Sequence, residues 1–188
     1  IPGAHLITLE SSFENADDAT AVVFQEENGP LQRISQKELL QKVNRVANSL
    51  VSEGLVPGDR IAIDMPMTLE AVCIYLGAIK AGIAVATIAD SFTPNEIAVR
   101  LRITRPKLLF TQDMLHRAGK TLPMYAKVIE AQPPKTLVVR TSQEGPELRE
   151  GDKYFSDFLV EKDDFESHVC DPGDAITILF SSGTTGEP

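Results

Sequence analysis

Residues Arg60–Thr111 read RIAIDMPMTLEAVCIYLGAIKAGIAVATIADSFTPNEIAVRLRITRPKLLFT. The run Arg60–Asp64 is short and largely apolar, and it lies between the turn residues Pro57-Gly58-Asp59 and Pro66, the pattern of a buried strand. Thr68 offers a hydroxyl to cap a helix that continues through Lys80 and ends at Gly82. Ile83–Ile88 (IAVATI) is again strand-like. Thr93, Pro94 and Glu96 supply a cap, a first-turn proline and a capping-box carboxylate, and they predict a helix to Thr104. Lys107–Thr111 (KLLFT) is a third strand. Strand and helix units of this length call for parallel strands with right-handed crossovers. The expected fold is therefore α/β, with layered, mostly parallel sheets and helices on both faces.

The same alternation continues outward. Upstream, Thr20–Gln25 reads as a strand, Glu26–Pro30 as a polar turn and Leu31–Ile34 as a short extended piece. Ser35 and Glu38 form a capping box, and Leu39, Val43, Val46 and Leu50 repeat at helical spacing, with Leu40, Ala47 and Val51 widening the stripe. Downstream, a broken helical region is expected through Ala131, then a strand at Thr136–Arg140 and a polar surface loop at Thr141–Asp152. A short helix at Tyr154–Val160 and a strand at Ala175–Phe180 (AITILF) follow. Asp64-Met65-Pro66-Met67 is expected to shape the sheet edge, and Cys73 to sit in the core.

Composition narrows the classes of function. A chain of 188 residues with 43% apolar residues is long enough to bury a core and is neither disordered nor collagen-like. The 18 basic against 27 acidic residues leave a formal charge of −9, which repels nucleic acid and anionic membranes and requires any anionic ligand to be held locally. Two cysteines cannot build a disulfide framework. The apolar stretch Ala71–Ala89 is broken by Gly77, Lys80 and Gly82, so no membrane span is expected. His168-x-Cys170 has too few companions for a zinc site, and no metal ligands are expected. The chain starts at Ile1-Pro2-Gly3 and stops at Pro188 just after a glycine-rich run. It reads as part of a larger domain, incomplete at its C-terminus.

That last run carries the chemistry. Ala175–Phe180 feeds directly into Ser181-Ser182-Gly183-Thr184-Thr185-Gly186-Glu187-Pro188. Four hydroxyls and two glycines in six residues let backbone amides converge on an anion while the side chains add donors. The glycine spacing and the absence of Lys-Ser/Thr after Gly186 exclude the GTPase P-loop, and no Gly-x-Ser-x-Gly elbow is present. On composition alone, a mobile Ser/Gly linker is the alternative.

The string SSGTTGEP behind an apolar strand resembles the signature loop of the adenylate-forming superfamily. Gly58–Met67, Glu70-Ala71-Val72, Ala81-Gly82, Ser91–Arg100, Thr111-Gln112-Asp113, Arg117-Ala118-Gly119-Lys120 and Pro123 are similar to its acetyl-CoA synthetase branch. Within that branch the likeness is to plant peroxisomal acyl-activating enzymes. Residues 1–188 are accordingly expected to be the N-terminal portion of an AMP-binding (adenylation) domain.

The resemblance implies a ligase that activates a carboxylic acid with ATP, with Mg2+ bound to it, and passes the acyl group to coenzyme A. It implies that Ser181, Ser182, Gly183, Thr184, Thr185 and Gly186 hold the ATP phosphates and that Arg117 and Lys120 hold the coenzyme A phosphates. Two cations three residues apart would share one face of a helix; the alternative is a solvated surface pair. Where the branch has an aromatic residue and glycines, this chain has Ala89, Asp90 and Ser91. The catalytic residues are expected beyond residue 188, in the rest of the chain and its C-terminal domain. The remaining partners expected are a small carboxylate and neither nucleic acid nor a membrane, with a peroxisomal or cytoplasmic location. The other readings are a truncated, inactive interaction module and a domain that loads a carrier protein.

Overall fold

The structure, a computed structural model, describes residues 9–14, 16–27 and 29–180. They fall into two compact units. The first comprises the described residues up to Gly58, with Met67–Ile83 and Leu159–Ile176; the second comprises Asp59–Pro66, Ala84–Phe158 and the residues from Thr177 on.

In the first unit a single 3-10 turn (Glu10–Phe13) precedes strands β1 (Thr20–Gln25) and β2 (Leu31–Ser35), which pair antiparallel. Helices α1 (Gln36–Ser52) and α2 (Leu69–Lys80) follow. The capping box of α1 forms in both directions: Glu38 N donates to Ser35 Oγ at 3.2 Å, and Ser35 N to Glu38 Oε2 at 2.8 Å. Leu39, Val43, Val46, Ala47 and Leu50 are buried as the helical spacing requires, whereas Val51 is 49% exposed, so the apolar stripe is narrower than expected. The two helices approach closely because Gly77 of α2 has no side chain. A Cβ there would lie 2.7 Å from Val46 Cγ1 and 2.9 Å from the Val43 carbonyl oxygen.

The second unit contains β3 (Arg60–Asp64), β4 (Ala84–Ile88), α3 (Pro94–Thr104), β5 (Leu108–Gln112), β6 (Met114–Arg117), β7 (Lys120–Pro123) and α4 (Met124–Glu130). It continues with β8 (Lys135–Val139), β9 (Lys153–Tyr154), α5 (Phe155–Phe158) and β10 (Thr177–Ile178). Six of these strands form one sheet in the order β10-β4-β3-β5-β8-β9, and every neighbouring pair is parallel. Ile97 and Leu101 of α3 and Val128 of α4 pack on one face against Ala62, Ala86 and Leu109. Phe110, the next residue of β5, points to the other face, where it meets Phe155 and Phe158 edge-on at centroid distances of 6.2 and 5.6 Å. Alternation along β5 thus puts helical segments on both sides of the sheet, as the α/β expectation requires.

Four local expectations are corrected. The stretch after β5 is not a broken helix but an antiparallel hairpin, β6–β7, followed by the short α4. Its two-residue turn has Ala118 at φ 51° and Gly119 at φ 71°, the left-handed pair that suits the twist of a tight hairpin. The strand expected at Ala175–Phe180 is confined to Thr177–Ile178, and the helix expected at Tyr154–Val160 to Phe155–Phe158. Asp64 ends an interior strand, with β4 on one side of β3 and β5 on the other, and so does not shape a sheet edge.

Candidate functional site

The connection from β3 leads to β4 on one side, and the next connection brings β5 in on the other side of β3. Strand order therefore reverses at β3, and open parallel sheets leave a ligand crevice beyond the carboxyl ends of the strands at such a point. Three aspartates occur at these ends: Asp64 closes β3, Asp90 stands two residues after β4, and Asp113 directly follows β5.

Asp64 is fully buried, and Lys127 of α4 places its ammonium 3.2 Å from the carboxylate. No hydroxyl or amide among the described residues donates to either Asp64 oxygen. Burial pushes this carboxyl group up to a pKa of about 6, with Lys127 pulling the other way and the Asp90 charge adding to the rise. The Lys127 ammonium also donates to the Asp90 carbonyl at 2.8 Å. A lone aspartate closing an apolar strand is the sign of this site in the sequence.

Asp113, 1% exposed, is satisfied in the opposite way. It accepts from the amide and hydroxyl of Thr141, the amide and hydroxyl of Ser142, and the Met114 amide. Burial raises its pKa, but the Ser142 and Thr141 donors outweigh burial and bring it down to about 2. The polar start of the 141–152 loop is thereby tied to the end of β5.

Arg117 and Lys120 are direct cross-strand partners in the β6–β7 hairpin, one residue on each side of its turn. They do share a face, but it is that of a two-stranded ribbon and not of a helix. Arg117 is already engaged: Nη1 and Nη2 reach Asp90 Oδ1 and Oδ2 at 3.2 and 2.5 Å, and these bonds raise its pKa. Farther along β6 and β7, His116 Nδ1 lies 3.0 Å from Thr121 Oγ1 across the strands.

The loop residues Ser181, Ser182, Gly183, Thr184, Thr185 and Gly186 lie outside the described residues. The side chain just before them is held. The Arg100 guanidinium sits 3.9 Å from the Phe92 ring centroid and 5.1 Å from that of Phe180, stacking on both. Among the described residues no group of His, Cys, Asp and Glu could hold a metal ion. Cys73 is buried, and burial pushes its thiol up to about 12, which removes it as a nucleophile.

The chain is similar to several known proteins. The chain is 45% identical over 184 residues to the probable peroxisomal acyl-activating enzyme 18 of Arabidopsis thaliana, a match covering 92% of the chain and 25% of that protein. It is 42% identical to hexanoyl-CoA synthase of Cannabis sativa, over 100% of the chain and 28% of that protein. The chain thus spans about a quarter of the length of these relatives. The solved acyl-CoA synthetase of Brucella canis superposes with a TM-score of 0.79 over 91% of the chain and 30% of its own, at 23% identity, and so shares the fold. No helix among the described residues is long and apolar enough to cross a membrane. Residues 9–188 match the family described as AMP-binding enzyme, and with nearly the whole chain inside that match, the chain belongs to this family.

Proposed function

We propose that residues 1–188 form the N-terminal portion of the adenylation domain of an ATP-dependent carboxylate–CoA ligase. A carboxylate attacks the α-phosphate of ATP to give an acyl-adenylate and pyrophosphate, and the coenzyme A thiolate then displaces AMP to give the thioester. The anhydride supplies the leaving group that a carboxylate lacks. Ser181–Gly186 would hold the ATP phosphates and stabilise the charge developing on pyrophosphate. Mg2+ would arrive with the nucleotide, bound by its phosphates. Arg117 and Lys120 would meet the coenzyme A phosphates.

The observation that carries this reading is the direction of β10. It runs parallel to β4, Thr177 opposite Val85 and Ile178 opposite Ala86, so the chain leaves the sheet at the carboxyl ends of the strands, where Asp64 and Asp90 lie. A phosphate-gripping loop following this strand would fit the position at which open parallel sheets bind ligands. The names of the Arabidopsis relatives also favour a peroxisomal location.

The test is carboxylate-dependent pyrophosphate exchange and coenzyme A-dependent AMP release by a full-length protein carrying this chain, assayed with a panel of short- and medium-chain acids. Exchange with at least one acid is expected, and none with any acid would overturn the reading. Arg117→Glu with Lys120→Glu should weaken coenzyme A use in the second step while sparing exchange. Undiminished coenzyme A use would remove the coenzyme A assignment, and equal loss of both steps would mark a folding defect.

A further inference from the structure

We propose that Asp90 is a resident counter-anion on the phosphate site of Arg117 and Lys120, lowering that site's affinity by sharing Arg117 with the incoming phosphate. The inference rests on the assignment of these two cations to coenzyme A made above. Both Asp90 oxygens face Arg117, one on each terminal nitrogen of the guanidinium. The pair is lopsided in exposure: the Arg117 side chain is 55% exposed and that of Asp90 only 14%. The accessible member is the cation, and the carboxylate stands behind it.

The carboxylate is also tethered. Lys127 donates to the Asp90 carbonyl at 2.8 Å, and the same ammonium pairs with the buried Asp64, so the backbone at Asp90 is fixed from beneath. Asp90 has a reason to be there in the free protein. Arg117 and Lys120 stand directly opposite each other across the hairpin, and like charges so placed destabilise a strand pair. A phosphate approaching this ribbon therefore meets a guanidinium that is already neutralised. It can use the three N–H directions Asp90 leaves open and the Lys120 ammonium. It also feels a carboxylate roughly 6 Å away, a repulsion equivalent to ~3–10-fold in affinity for a phosphate of one to two charges in a watery site.

Binding of adenosine 3′,5′-bisphosphate to the full-length protein, measured by calorimetry at two salt concentrations, tests the proposal. Asp90→Asn should bind the probe ~3–10-fold tighter, with a steeper loss of affinity in high salt. Asp90→Ser removes the same charge with a smaller side chain, so a matching gain reports the charge and not the shape. Arg117→Gln combined with Asp90→Asn should lose the gain. Unchanged or weaker binding in both Asp90 variants, with Arg117→Gln and Lys120→Gln still weakening the probe, overturns the counter-anion and leaves the site standing. Parental binding in Arg117→Gln and Lys120→Gln overturns the site itself, and the counter-anion with it.

Discussion

Lys127 lies 3.2 Å from Asp64, which is the last residue of an interior strand and has no exposed surface. The same ammonium holds the carbonyl of Asp90 beyond the neighbouring strand. One side chain from α4 therefore fastens the carboxyl ends of β3 and β4 at the point where strand order reverses.

Burial of Asp64 outweighs this pairing and gives a pH dependence of defined sign. The folded state keeps the Asp64 proton up to about pH 6, whereas the unfolded chain releases it near 3.8. Between these values the folded state binds more protons, so this group's contribution to stability falls as pH rises through the window. The loss is on the order of 3 kcal/mol. Asp64→Asn should lack it. Denaturant midpoints of the two proteins measured from pH 4 to 7 should converge or cross; parallel profiles would contradict the raised pKa.

Asp113 behaves with the opposite sign. Its depressed pKa, about 2 against 3.8, contributes stability that is fully present above pH 3.8 and is lost as pH falls through 2. Asp113→Ala should cost ~3 kcal/mol at neutral pH, because the amides of Met114, Thr141 and Ser142 lose their acceptor together. Proteolysis within residues 141–152 should accelerate in the variant. An unchanged cleavage rate would mean the loop is held by other contacts.

Gly77→Ala pits two effects against each other. Helix propensity favours alanine by about 1 kcal/mol. The new methyl, however, would meet Val46 Cγ1 at 2.7 Å and the Val43 carbonyl at 2.9 Å, and overpacking of this kind costs ~1–3 kcal/mol. Net destabilisation is expected in thermal unfolding. Val46→Ala should relieve only part of it, since the Val43 contact is backbone.

Thr184→Ala with Thr185→Ala should slow pyrophosphate exchange in a full-length protein by ~10- to 1,000-fold, the range for losing donors to developing charge. Stability should change little. Exchange at the parental rate would remove the loop from the ATP site.

The caps of α1, α2 and α3 were legible because each depends on residues no more than three positions apart, and the sheet was legible because its strands are compact apolar runs. The β6–β7 hairpin was not. Ala118 occupies a left-handed position that alanine rarely takes, so Arg117-Ala118-Gly119-Lys120 lacks the Asn-Gly or Gly-Gly mark of a tight turn. The Asp64–Lys127 and Asp90–Arg117 pairs were also hidden, since their members come from different elements and no local spacing joins them. The loop 181–186 was read from composition and motif, and it lies outside the described residues.

The parallel direction of the sheet collects Asp64, Asp90 and Asp113 at one rim of a chain with a net charge of −9. Two of these charges are balanced, Asp64 by an ammonium and Asp90 by a guanidinium, while Asp113 keeps its charge among amides and hydroxyls. Most of the rim's acidity is thereby offset by neighbouring cations, and one carboxylate is left without a counter-charge at the end of β5. Under the proposed function a polyanion would gain nothing from long-range attraction, and discrimination would fall to contacts made only after arrival.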